Sequence, residues 1–218
     1  MIDIFYTVIT FSSMLILFKY FGKYHVNNLQ AIIVNYFTAG SLALFIANAD
    51  GIPIVFQHII LSPYMVPSLI IGLLFIITFN LLAYGTQKVG ITISTVANKM
   101  SMIIPVIIGI YLFKEASGII KFIGIILAIS AIYMTSTKGG KLSFDKKYVP
   151  IILLIFLGQG MADGTLSWAQ KFTITSDNTP LFFACTFLSA GILGSLFCLL
   201  YTSPSPRDRT RTRMPSSA

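Results

Sequence analysis

Apolar runs near twenty residues long, recurring along the chain, constrain this sequence more than any single motif does. The hydrocarbon layer of a bilayer is about 30 Å thick, and at about 1.5 Å per residue roughly 20 apolar helical residues cross it. Seven such runs are legible, at residues 4–18, 29–47, 67–87, 91–113, 119–137, 149–169 and from 181 onward. With 56% hydrophobic residues, 10% charged residues and a mean hydropathy of +0.84, the chain reads as an all-α membrane protein, a polytopic helix bundle in a lipid bilayer. The first run lacks a basic leader and a small-residue cleavage site, and Asp3 precedes it, so it is expected to be a mature helix and not a signal peptide. The connection 48–66, punctuated by Pro53 and Pro63, is expected to lie along the membrane interface with Phe56 and Tyr64 near head-group level.

The formal charge of +8 does not signal nucleic acid, because the cations sit in short loops or in the last dozen residues, without a basic patch interleaved with aromatics. Cys185 and Cys198 fit neither a metal spacing nor a disulfide framework, and His25 and His58 fall near loops, so no metal or other cofactor is expected. Lysine bias sets an orientation. Lys19, Lys23, Lys88, Lys138, Lys141, Lys146 and Lys147 gather on one side against Asp145, which makes that side cytoplasmic and places the N-terminus outside.

Polar residues inside the runs are the functional candidates, since an ionisable group in hydrocarbon normally faces a bundle interior or an aqueous path. Lys99 lies about eight residues into its run, roughly 12 Å deep, and is expected to be buried among polar partners. Counting from the lysine-rich side, Ser12, Ser13, Asn35, Asn80, Lys99 and Ser130 share a depth of roughly 9–12 Å. That common layer predicts a polar cavity; the competing reading is interhelical hydrogen bonding that only glues helices together. On the fourth run Thr92, Thr95, Lys99 and Met102 form one stripe, while Ser94, Asn98, Ser101 and Pro105 form its neighbour. Pro105 has no N–H, so the carbonyl of Ser101 is expected to be free for a ligand, a water or Lys99. On the sixth run Gly160, Gly164 and Ser167 make a small-residue packing face beside Gln159 and Asp163. Asp163 reads either as a proton- or ion-coupling carboxylate, with Gln159 beside it, or as a boundary aspartate near the outer interface. The substrate-path candidates are therefore Lys99, Asn98, Thr95, Asn80, Asn35, Ser101 and Pro105.

A shift of 151 residues lays Asn27, Ala39, Gly40 and Leu42 on Asn178, Ala190, Gly191 and Leu193, and so the second run on the seventh. Five helices separate the copies, an odd number, so the repeat would be inverted. From the third run to the fifth, Gly90, the polar stretch 94–98, Pro105, Gly109, Glu115 and Gly124 form a pattern that resembles the EamA-like family of the drug/metabolite transporter superfamily. The resemblance implies ten helices in two inverted five-helix halves: residues 1–137 as the first repeat, 138–148 as a basic connecting loop and 149–197 as the first two helices of the second. Pro105 lies about one turn closer to Glu115 than in the family pattern, and Ser130 stands in place of a glycine. Family members typically begin inside the cell, opposite to the lysine bias. Residues 198–218, opening CLLYTSPSPRD and closing RMPSSA, read like translated sequencing adapter and are expected to be foreign, so the natural sequence would stop near Phe197 and continue differently.

What the resemblance implies is a secondary transporter that moves small polar metabolites by alternating access in a bacterial cytoplasmic membrane. No P-loop is present to bind a nucleotide. The alternative is a membrane-embedded enzyme acting on lipid-linked substrates, which would need facing carboxylates or histidines; the runs supply one buried carboxylate and no histidine, so no catalytic residue is assigned. Nothing in the sequence sets an oligomeric state.

Overall fold

The computed structural model describes residues 2–112, 119–138, 141–142 and 145–202. Nine α-helices make up nearly all of it: α1 Ile2–Lys23, α2 Asn28–Ala49, α3 Phe56–Ile60, α4 Met65–Lys88, α5 Ile91–Met100, α6 Ile103–Leu112, α7 Ile119–Ser136, α8 Val149–Phe172 and α9 Thr179–Thr202. Two-residue strands, Thr137–Lys138 and Lys141–Leu142, pair antiparallel within the expected connecting loop. Among the described residues six stretches are long and apolar enough to cross a membrane: Ile4–Lys23, Asn28–Ala49, Met65–Lys88, Ile91–Tyr111, Lys146–Phe172 and Thr179–Leu200. A bilayer offers backbone groups no water, so only structures that bond their own N–H and C=O groups span it, and the helical bundle meets that demand. The expected fifth run is α7, while Lys114 and Glu115 lie outside the described residues, as does the tail beyond Thr202.

Local chemistry sets the helix boundaries. Asn27 caps α2 by accepting the backbone N–H groups of Leu29 and Gln30 at 3.0 and 3.4 Å. Gly90 separates α4 from α5 with φ of 120°, a conformation that a side chain would strain. Asp145 accepts the N–H of Lys147 at 3.1 Å, and the Lys147 ammonium beside it holds its carboxyl below the ordinary value. Pro150 then sits in the first turn of α8, where its missing N–H costs nothing.

α4 is central, packed against α8 and α9, while α2 lies along α9 and α8 also meets α5 and α6. Small residues set the distances. A Cβ on Gly40 would come within 2.7 Å of Leu188, one on Gly191 within 3.3 Å of the Phe37 ring, and one on Gly194 within 2.8 Å of Ile33. Numbers that rise along α2 fall along α9, so the two helices are antiparallel. Tyr64 corrects the interfacial expectation: it is only 6% exposed and packs edge-on to Phe182 with ring centroids 6.4 Å apart, whereas Phe56 is exposed.

The expected fourth span is split. α5 ends at Met100 and α6 begins at Ile103, with the pair Ser101–Met102 between them. At the join the N–H of Met102 reaches Lys99 O at 3.3 Å and that of Ile104 reaches Ser101 O at 2.9 Å, both three-residue closures in place of four. The Ser101 carbonyl is therefore not free. Pro105 cannot bond it, as expected, but the tightened turn supplies Ile104 instead, because a carbonyl orphaned in hydrocarbon is too costly to leave.

Candidate functional site

Of the two polar stripes on α5, the structure buries one. Ser94 and Ser101 are 0% exposed and Asn98 is 5% exposed, while Thr92, Lys99 and Met102 are exposed. The hydroxyl and amide side chains of Ser94, Asn98 and Ser101 pack at the spacing of one helix face. Thr95, half-buried at the edge, donates its hydroxyl to Ile91 O at 2.7 Å, and Ser101 donates to Asn98 O, so both hydroxyls are held by their own helix.

Asn98 connects to α8. Its Nδ2 donates to Gln159 Oε1 at 3.1 Å, and Gln159 Nε2 donates to Asp163 Oδ1 at 2.9 Å. Three of the residues singled out from sequence thus form one continuous chain that runs from the broken helix to a carboxylate. That order suits an ionised carboxylate, which only accepts: Gln159 turns its NH2 toward Asp163 and its oxygen toward Asn98, which donates.

The small-residue face of α8 permits this approach. A Cβ on Gly160 would overlap Ile104 Cδ1, one on Gly164 would lie 2.7 Å from Ile108 Cδ1, and one on Gly158 would lie 2.6 Å from Thr78 Oγ1. Close backbone contact through such residues is how helices associate without a hydrophobic driving force. Pro105, on the same half-helix as Ile104 and Ile108, is half-buried.

Lys99 departs from expectation. It is exposed and not enclosed, and its Nζ lies over the Phe11 ring of α1, 3.8 Å from the centroid. An ammonium over a ring face is stabilised by the ring quadrupole, which explains how a lysine at this depth is held without a carboxylate. It acts electrostatically on Asp163 but forms no direct ion pair with it. Asn35 is exposed on α2, away from the buried face formed by Ile32, Ile33 and Tyr36. Asn80 lines a cavity of about 760 Å³ together with Asn27, Asn28, Tyr84 and apolar side chains of α4 and α9, and no charged side chain borders it. Neither asparagine is hydrogen-bonded to Lys99. Ser130 donates to Ile126 O at 2.8 Å, and Ser12 and Ser13 are exposed. Among the described residues no three His, Cys, Asp or Glu side chains gather to hold a metal.

The profile of the EamA-like transporter family matches residues 1–137. The chain belongs to that family. An uncharacterized protein of Haemophilus influenzae is 28% identical over 137 residues, which are 62% of this chain and 47% of the relative. The matched segment thus spans about half the relative's length. No solved structure matches the chain.

In this EamA-like chain the motif residues take distinct parts. Gly90 makes the turn, Ser94 and Asn98 form the buried polar face, and Pro105 follows the break, whereas Gly124 faces open space and Glu115 lies outside the described residues. One polar anchor has no counterpart in the motif. Gln87 Nε2 donates to Phe18 O at 2.9 Å and to Asn28 Oδ1 at 2.8 Å, so it pins α4 to both α1 and α2. Gly22 leaves room for it, since a Cβ there would touch Gln87 Cγ at 3.0 Å. Glycine opposite glutamine carries no periodicity in the sequence that could reveal the pair.

Proposed function

We propose that this EamA-like chain is part of a secondary transporter that moves small polar metabolites across a bacterial cytoplasmic membrane by alternating access. The observation that carries the reading is the hydrogen-bonded series Asn98, Gln159 and Asp163, which joins a broken helix to a carboxylate inside an apolar bundle. Polar groups of this kind are costly in a membrane, and interrupted helices there normally serve a solute or ion site. We assign the path to Lys99, Asn98, Thr95, Ser101 and Pro105 at the break and to Asn80 at the uncharged cavity, whose lining does not include Asn35. Asp163, held by Gln159, couples solute movement to a proton.

The reciprocal packing of α2 and α9 supports the inverted repeat. Gly40 meets Leu188 and Gly191 meets Phe37, and both members of one contact map on the other by the same 151-residue shift that aligns the sequences. Two antiparallel helices crossing at equivalent positions are what a pseudo-two-fold axis in the membrane plane produces. The bacterial relative supports the location.

The test reconstitutes the protein in vesicles containing a pH-sensitive dye and presents labelled small polar solutes. The expected result is solute flux accompanied by a lumenal pH change, with the pH change lost in Asp163→Asn. Absence of flux for every solute would overturn the transporter reading; flux with an unaltered pH response in Asp163→Asn would overturn the coupling role.

A further inference from the structure

We infer that Gln159 is a positioning residue that carries the protonation state of Asp163 to the break in the split helix, by reversing the direction of the hydrogen bonds from Asp163 through Gln159 to Asn98. The inference rests on the proposed proton coupling at Asp163 and adds the route by which a proton is felt elsewhere.

The argument begins with donors and acceptors. With Asp163 ionised, the observed order holds: Asn98 donates to Gln159, and Gln159 donates to Asp163. A proton on Asp163 converts one acceptor oxygen into a donor, which then needs an acceptor in a setting where an unsatisfied hydroxyl is costly. Lys99, the charged group that acts on this carboxylate, supplies donors only. Ser167 directs its hydroxyl to the Asp163 backbone carbonyl at 2.8 Å. Gln159 Oε1 is the side-chain acceptor one turn away. Presenting it to Asp163 requires the carboxamide to rotate by about half a turn, because its oxygen and nitrogen occupy opposite positions.

That rotation points the Gln159 NH2 at Asn98 Nδ2, donor against donor. Asn98 restores the bond by rotating its own amide and accepting through Oδ1. The donor end of the Asn98 amide then stands where its acceptor end stood, three residues before Ser101. Each amide keeps its hydrogen-bond count, so the reversal moves information without breaking the chain, and both side chains remain packed where they are.

The other titratable groups near this route lie on the elements packed against α8. α8 packs against α4, α5 and α6 and follows the turn Lys146–Tyr148. Their titratable groups are Tyr84 and Lys88 on α4, Lys99 on α5, Tyr111 on α6, and Lys146, Lys147 and Tyr148 in the turn; α8 itself adds Lys171. Of the neighbours hydrogen-bonded through side chains to Asp163, Gln159 is the one that also reaches the broken helix.

The experiment records the side-chain amide nitrogens of Asn98 and Gln159, and the carboxyl carbon of Asp163, by magnetic resonance on the full chain in lipid nanodiscs across a pH series. In the wild type all three signals should move with one midpoint. In Gln159→Met, which keeps an unbranched side chain without the amide, Asp163 should continue to titrate while Asn98 loses its pH response. In Asp163→Asn, the Asn98 signal should lose that response as well. An Asp163 that does not titrate would overturn both the coupling and the inference. An Asp163 that titrates while Asn98 stays still in the wild type, or an Asn98 that still responds in Gln159→Met, would overturn the inference alone. If Gln159→Met fails to fold, the wild-type and Asp163→Asn series decide the question.

Discussion

At the scale of single residues, Lys99 shows what an out-of-place charge does and does not reveal. Its depth within an apolar run was legible, but its partner was not. Phe11 lies among apolar residues of α1 and carries no mark that separates it from a lipid-facing phenylalanine; only the fold places its ring beneath the ammonium. Lys99→Met removes a group that is costly in hydrocarbon and leaves the Phe11 ring packed against a thioether, so insertion and folded yield should match the wild type. Flux through the protein should fall by at least about tenfold, as expected where roughly 1.4 kcal/mol of interaction with the moving solute is lost. Vesicle uptake at matched protein content measures it, and unchanged uptake would leave Lys99 with a purely structural part. The buried stripe was half legible in the same way: Ser94, Asn98 and Ser101 stood out as polar, yet nothing in the spacing distinguished them from the stripe of Thr92, Lys99 and Met102, because both stripes repeat at helical spacing and only the fold sets which one a neighbour covers.

At the scale of elements, the join between α5 and α6 was announced by Pro105 but lies at Ser101–Met102, one turn earlier, where the proline ring and its missing N–H act on the preceding turn. The tightened closure from Ile104 to Ser101 is local geometry that composition does not encode. The glycines of α8 were legible as a packing face, and their partners Ile104 and Ile108 give that face a measurable meaning. Gly160→Ala should destabilise the bundle by about 1–3 kcal/mol through overpacking against Ile104. Combining it with Ile104→Ala should cost less than the sum of the two changes, with a coupling of about 1 kcal/mol in a double-mutant cycle read from unfolding in mixed micelles. Gly124→Ala is the control, since nothing lies within 4 Å of the position and its helix should gain slightly in propensity. Equal costs at residues 160 and 124 would show that α8 is not in close contact with α6.

At the scale of the whole molecule, the lysine distribution assigns sides. Cysteines introduced at Asp50 and Ser143, after replacement of Cys185 and Cys198, should differ in intact cells: an impermeant thiol reagent labels residue 50 and spares residue 143. The opposite pattern would invert the orientation and bring it into line with the family's usual one. The class of fold was fully legible, because length and hydropathy alone dictate membrane-spanning helices. The arrangement of those helices was not, because lipid-facing and bundle-facing residues are equally apolar and only small residues mark an interface. The contact between α2 and α9 was not legible: the four matching positions spoke for a repeat, and only the fold shows that Gly40 and Gly191 lie where these helices cross.

That crossing has a consequence for how the two helices tolerate substitution. A Cβ on Gly40 would lie 2.7 Å from the Leu188 side chain and 3.2 Å from its backbone nitrogen, whereas one on Gly191 would lie 3.3 Å from three atoms of the partly exposed Phe37 ring. A methyl group at residue 191 needs the ring to give by a few tenths of an ångström, but at residue 40 it meets a branched side chain backed by main chain. Gly191→Ala should therefore leave thermal stability nearly unchanged while Gly40→Ala lowers it by about 1–3 kcal/mol, and equal losses would mean that the crossing is symmetric in tolerance as well as in register. If the two helices are copies of one repeat, unequal tolerance lets substitutions accumulate on one side sooner than on the other, and the likeness in sequence fades from the roomier side while the shape of the contact persists.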